Sequence, residues 1–167
     1  MSYYPYVGFH FRVHFEGITS DDTSFQSVKG LEVQMETETI KEGGFLEAEH
    51  TVPVRSKFST LTLERGMFKP HQSALLKWCQ DAFYNFEFIP INLQVTLMND
   101  EHMPLVTWKI RHVLPKSWKV KDLNSTQNEV LIETLELTYN AFRVESTNFV
   151  LEFERDDNRQ AALIVGG

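Results

Sequence analysis

Residues 7–15 alternate strictly between apolar and polar. Val7, Phe9, Phe11, Val13 and Phe15 are large and apolar, while Gly8, His10, Arg12 and His14 lie between them. A period of two predicts a strand with one buried face. Gly17 to Asp22 then reads as a turn. A second strand region is expected from Ser24 to about Thr39, with a bulge or bend at Lys29-Gly30. From Phe58 to Glu64 the alternation returns, with Leu61 and Leu63 inward, and Arg65-Gly66 closes it. Ile91, Leu93, Val95 and Leu97 alternate with Asn92, Gln94 and Thr96, and Asn99 to Glu101 fits a hairpin turn. Val106, Trp108, Ile110 and His112 share one face of the returning strand, which Pro115 is expected to end. Trp118 and Val120 mark a short extended piece. Glu129 to Val144 reads as one long strand. It carries Leu131, Leu135, Leu137 and Tyr139 on one face, and Ile132, Phe142 and Val144 on the other. Phe149, Leu151 and Phe153 form a last alternating segment.

Two stretches depart from this rhythm. Between Lys41 and Lys57 the alternation fails amid Gly43-Gly44, Pro53 and the acids Glu42, Glu47 and Glu49. A gap of this length exceeds most connections in compact domains and is expected to be a mobile or functional loop. Lys69-Pro70 reads as the opening of a helix over about 70–84, because Pro is tolerated at a first helical position. Leu75, Leu76, Cys79, Ala82 and Phe83 recur at the spacing of one helical face, with Trp78 at its margin. That face is expected to pack on the β core. The expected strand core includes Phe9, Phe11, Leu61, Leu63, Trp108, Leu135 and Leu137.

Composition narrows the classes. The 167 residues are enough for one domain with a real core. The single cysteine rules out an intrachain disulfide framework and any Cys-based zinc site. A formal net charge of −7 argues against a nucleic-acid module held by phosphate neutralisation. No apolar run reaches the roughly 20 residues of a membrane span. Met1-Ser2-Tyr3-Tyr4-Pro5 lacks the basic and apolar regions of a signal peptide, so a product of the cytoplasm is expected.

Catalytic chemistry finds little support. His10 and His14 share a strand face but sit about 13 Å apart, too far to hold one metal. His50, His71 and His102 have no ligand-like spacing to a second His or carboxylate. His112 falls on an apolar face. Cys79 lies on the apolar helix face, where a free thiol behaves as a small hydrophobe. The acidic pairs Glu36/Glu38 and Glu47/Glu49 suit solvated charge better than a carboxylate dyad. Neither a nucleophile elbow nor a glycine-rich phosphate loop is present. No catalytic residue, metal or cofactor is assigned. A β-rich chain with surplus apolar strand surface fits an assembly protein, because strand edges need partners.

Several segments, in order, resemble the tail tube proteins of contractile phages and related injection systems. They are Phe25 to Glu32, Glu42-Gly43-Gly44, Leu61 to Phe68, Lys77-Trp78, Leu97 to Glu101, Val106 to Ile110, Pro115 with Trp118, and Asn128 to Leu137. Together they span roughly residues 7–145. The resemblance implies a mainly β fold. Two packed antiparallel sheets would form a barrel-like sandwich, with one flanking helix (about 70–84) and the long loop (41–57). Residues 1–148 would form the tube-like domain and 149–167 a C-terminal extension past the family's usual stop. Hexameric rings stacked into a hollow tube are implied, without enzymatic activity. The implied partners are further copies of the chain, a contractile sheath, baseplate or spike and terminator proteins, and a cargo in the lumen. Assembly in the bacterial cytoplasm is implied as well. The family's inter-subunit loop matches Glu42, Gly43, Gly44, Phe45, Leu46, Glu47 and Glu49. A monomeric β-barrel that binds a ligand, or a small enzymatic domain, is the rival reading and requires an enclosed pocket with convergent polar groups. Thirteen Phe residues exceed the needs of one small core and fit surface that becomes interior on assembly.

Overall fold

The computed structural model describes residues 10–18, 25–41, 49–67, 73–122, 126, 130–146 and 150–154. Among these residues, ten strands and one helix follow in the order β1 (His10–Phe15), β2 (Ser27–Lys29), β3 (Val33–Lys41), β4 (Glu49–Phe58), β5 (Leu61–Gly66) and α1 (Ala74–Asn85). Then come β6 (Ile91–Met98), β7 (Pro104–Val120), β8 (Ile132–Thr138), β9 (Ala141–Ser146) and β10 (Val150–Glu154).

The long strand β7 organises the fold. Its first part pairs with β6 on one side and, over Val106–Arg111, with β9 on the other. From Leu114 to Val120 it pairs with β8 instead. All these pairings are antiparallel. One half of the sheet therefore runs β1-β6-β7-β9-β10, and the other runs β7-β8-β5-β2. The strand changes sheets at a corner. His112 has a positive φ of 57°, and the register slips between Pro115 and Ser117. Pro115 was expected to end the strand. Pro115 still stands opposite Leu137, and the residue left unpaired by the bulge is the next one, Lys116, so β7 continues past the proline.

Both halves feed one core. Val13, Phe15, Leu93, Val95, Ile110, Val113 and Phe142 come from the first half, and Leu61, Leu63, Leu135 and Leu137 from the second. Helix α1 adds Leu75 and Cys79. Phe11 and Trp108 pack against this core from its margin, half-buried. Phe9 lies outside the described residues. Among the described residues the sheet does not close into a barrel, since β1, β2 and β10 each have a neighbour on one side only.

Three boundaries differ from expectation. The helix starts at Ala74, because Ser73 keeps extended angles and its hydroxyl accepts the Leu76 N–H at 3.1 Å as an N-cap. Pro70 lies outside the described residues. The strand expected from Glu129 to Val144 is two strands, broken at Tyr139-Asn140. The loop expected over 41–57 holds a strand from Glu49 onward. Residues 42–48 lie outside the described ones. β4 went unseen because both its faces are exposed along most of its length, so burial imposes no alternation.

Candidate assembly surface

Among the described residues, β3 and β4 form a two-stranded ribbon that pairs only with itself. A hairpin of this kind is marginal in water unless something covers it. One face, read from the register, carries Val33, Met35, Thr37 and Thr39 opposite Phe58, Ser56, Pro53 and Thr51. No charge falls on these eight positions, and the face ends on the Lys41–Glu49 ion pair. The other face carries Glu36, Arg55, Lys57 and Glu38. There Arg55 donates to Glu36 at 2.5 Å and Lys57 lies 3.6 Å from the same carboxylate. The Arg55 hydrogen bond holds the Glu36 carboxyl below its ordinary range. Met35 is 58% exposed and Val54, in the bulge opposite Glu36-Thr37, is 48% exposed. Apolar side chains on a ribbon that projects into water mark a binding surface.

The base of the ribbon is clamped to the core. Phe58 packs on Tyr139 and Phe142, with ring centroids 5.3 and 5.9 Å apart. The Tyr139 hydroxyl donates to the Gly30 carbonyl oxygen at 2.7 Å and accepts the Glu32 N–H at 3.4 Å. Desolvation raises the Tyr139 pKa above its ordinary value. Gly30 takes a φ of +91°, and a Cβ there would sit 1.9 Å from the Thr60 carbonyl oxygen. Only glycine fits such a close approach of two backbones. The ribbon therefore leaves the body at a fixed point.

A second clamp joins sheet and helix. Arg65 and Glu133 pair across the β5–β8 ladder in the core. Trp118 Nε1 donates to the other Glu133 oxygen at 2.9 Å, and Arg65 also reaches the N-cap Ser73 at 3.3 Å. The guanidinium lies over the Phe25 ring, 5.2 Å from its centroid. This cluster ties β5, β7, β8 and the start of α1 together.

The predicted site residues fall into three groups. Glu42, Gly43, Gly44, Phe45, Leu46 and Glu47 lie outside the described residues, while Glu49 opens β4 and faces Lys41 across the ribbon at 3.7 Å. On α1, Leu75, Cys79 and Ala82 are buried; Leu76 is half-buried and Phe83 is exposed. Leu61, Leu63, Leu135 and Leu137 are buried. Pattern reading set Tyr139 on a face with Leu135 and Leu137 but not its bond to Gly30, and it missed the Arg65–Glu133 pair, although an Arg and a Glu at inward-facing strand positions were a readable signal.

Chemistry is sparse beside this architecture. His10 stacks on His102 at 5.8 Å rather than meeting His14. A concavity of about 360 Å3 opens to solvent beside Pro90, Arg111, His112 and Glu154. It is an open groove of mixed polar and apolar lining, not an enclosed cavity.

A family model described as the T4-like virus tail tube protein gp19 matches residues 7–143. The chain belongs to that tail tube family. It is a tail tube subunit of phage tails and contractile injection systems, a structural protein rather than an enzyme. Solved structures agree on the fold. A chain in the six-fold symmetrised cryo-EM structure of the anti-feeding prophage baseplate is 28% identical, covers 89% of this chain and 100% of its own, and has a TM-score of 0.72. A chain of the PVC extracellular contractile injection system, from its sheath–tube complex in the extended state, is 22% identical over 86% of this chain and 93% of its own, with a TM-score of 0.71. Hcp1 from Salmonella typhimurium shares 14% identity over 90% of this chain and 97% of its own, with a TM-score of 0.60. No curated protein matches the chain.

Proposed function

We infer that copies of this tail tube subunit close into six-membered rings that stack into a hollow tube inside a contractile sheath. The carrying observation is the β3–β4 ribbon, long, exposed and uncharged along one face from Val33 to Thr39. A projecting ribbon of that kind serves as the contact between stacked rings. Residues 42–47, which follow β3 in the sequence, belong to the same contact. Free edges at both ends of the sheet supply the lateral joints, and heterologous joints of this type close into rings under rotation. The relatives named above support this reading through the six-fold symmetry and the sheath–tube complex in which they were solved. A relative from a PVC sheath/tube terminator supports end-capping partners in the same way.

Within that scheme the subunit assembles in the bacterial cytoplasm, on a baseplate and spike, and a terminator ends the tube. The lumen admits a cargo without specific nucleic-acid binding, in keeping with the net charge of −7. Sedimentation analysis over a concentration series tests the reading. Growth from subunit to ring and then to larger particles is expected. A monomer that persists at high concentration would overturn it.

A further inference from the structure

The strand β10 lies wholly beyond the stretch that matches the tail tube family, which ends at residue 143. It nonetheless completes the β1-side half of the sheet. Register carries four rows unbroken across all five strands. Two rows are apolar. Phe15, Leu93, Ile110, Phe142 and Phe153 form one; Val13, Val95, Trp108, Val144 and Leu151 form the next. Two rows face solvent. One runs His14, Gln94, Lys109, Arg143, Glu152, and the other Arg12, Thr96, Thr107, Glu145, Val150.

The two ends of these rows complement each other. The β1 end is basic on the solvent face, with His10, Arg12 and His14. Among the described residues no carboxylate pairs with Arg12. The β10 end is acidic, with Glu152 and Glu154 sharing the single guanidinium of Arg111 at 2.7 and 3.5 Å. On the inward face, Phe11 and Val13 at one end answer Leu151 and Phe153 at the other. Leu151 is 51% exposed at this open edge, although its row is buried further in. Opposite charge on one face and apolar continuity on the other are what edge-to-edge pairing requires.

We propose that β10 is the lateral joint of the ring, and that its free edge takes the β1 edge of the next copy. The inference rests on the ring reading above and specifies its contact. It also fixes a direction. Four antiparallel steps separate β1 from β10, so the two strands run the same way. Rotation about a ring axis preserves that direction, so the β10–β1 joint is parallel, unlike the joints among the described strands of the subunit. A sheet ending at β9 would make an antiparallel joint instead. β10 thus changes both the width of the subunit and the sense of its junction.

Cysteine pairs test this, with native Cys79 buried and each single variant as its own control. Adjacent strands lie about 4.8 Å apart, within disulfide reach, whereas a strand two places away does not. Assembled particles would be oxidised after introducing Arg12→Cys with Glu152→Cys, and separately His14→Cys with Glu154→Cys. Parallel pairing advances both strands together, so these two pairs link as a set, giving ladders up to the hexamer. The swapped pairs, Arg12 with Glu154 and His14 with Glu152, would link as a set in an antiparallel joint and overturn the direction. Arg12→Cys linking to Arg143→Cys on β9, with no link to β10 in any pairing, would overturn the joint. So would particles that assemble but link nowhere. Failure of the wild-type chain to form rings would overturn the ring reading itself.

Discussion

Arg65 and Glu133 stand directly opposite each other on β5 and β8 and form an ion pair in the core, with side chains only 4% and 3% exposed. Breaking such a pair from one side leaves a buried charge uncompensated, at a cost of about 3–5 kcal/mol. Arg65→Met should therefore lower the urea midpoint sharply. The double variant Arg65→Met/Glu133→Leu should recover most of that loss, because no charge is then stranded. A double variant as unstable as the sum of its singles would show that the pair's geometry, rather than its charge, sustains the fold.

Gly30 and Gly17 separate steric crowding from backbone preference. Both have positive φ, +91° and +82°. A Cβ at Gly17 meets nothing within 4 Å, so Gly17→Ala should cost about 1–2 kcal/mol from backbone conformation alone. Gly30→Ala adds a collision with the Thr60 backbone and should cost clearly more, with loss of soluble protein as the extreme outcome. Thermal unfolding of the two variants side by side reads the difference.

The pattern made the buried strands legible and left the exposed ones hidden. Leu61, Leu63, Leu135 and Leu137 stood out because burial on one face enforces alternation. β4 has no buried face for most of its length, so Pro53 and its neighbours read as loop. Pro115 read as a stop because a proline ends most strands; only the corner, shared between two sheets, lets β7 pass through it. The assembly surface was legible as surplus aromatic and apolar residues, but not as a place. The clamp between Tyr139 and Gly30 spans 109 residues of sequence, and no local pattern records it.

Titration should reveal two groups, one half-buried and one buried. The Glu136 carboxyl is held below its ordinary value of 4.5 by hydrogen bonds from Lys119 and Ser117. Its contribution to stability is complete above that value and is lost as pH falls through the lowered one. Glu136→Gln should flatten the stability profile below pH 4.5 and leave neutral pH less stable. At the alkaline end, the raised Tyr139 pKa makes stability fall as pH climbs above the ordinary value of 10.0. Tyr139→Phe should remove that contribution to the slope. Urea titrations across pH check both.

The ribbon separates folding from assembly. Met35 and Val54 are exposed, so Met35→Lys and Val54→Lys should change subunit stability by no more than about 0.5 kcal/mol. Each should nonetheless suppress stacking, since it places a charge on or beside the uncharged stretch of that face. Circular dichroism melts paired with sedimentation would show unchanged folding and smaller particles. Normal tube lengths from both variants would remove the ribbon from the stacking contact.

The most direct test is negative-stain electron microscopy of the purified, concentrated wild-type chain. Rings or tubes roughly 80–100 Å wide are expected, the size of six domains of this mass around a pore. Dispersed particles of single-subunit size across the grid would contradict the assembly account.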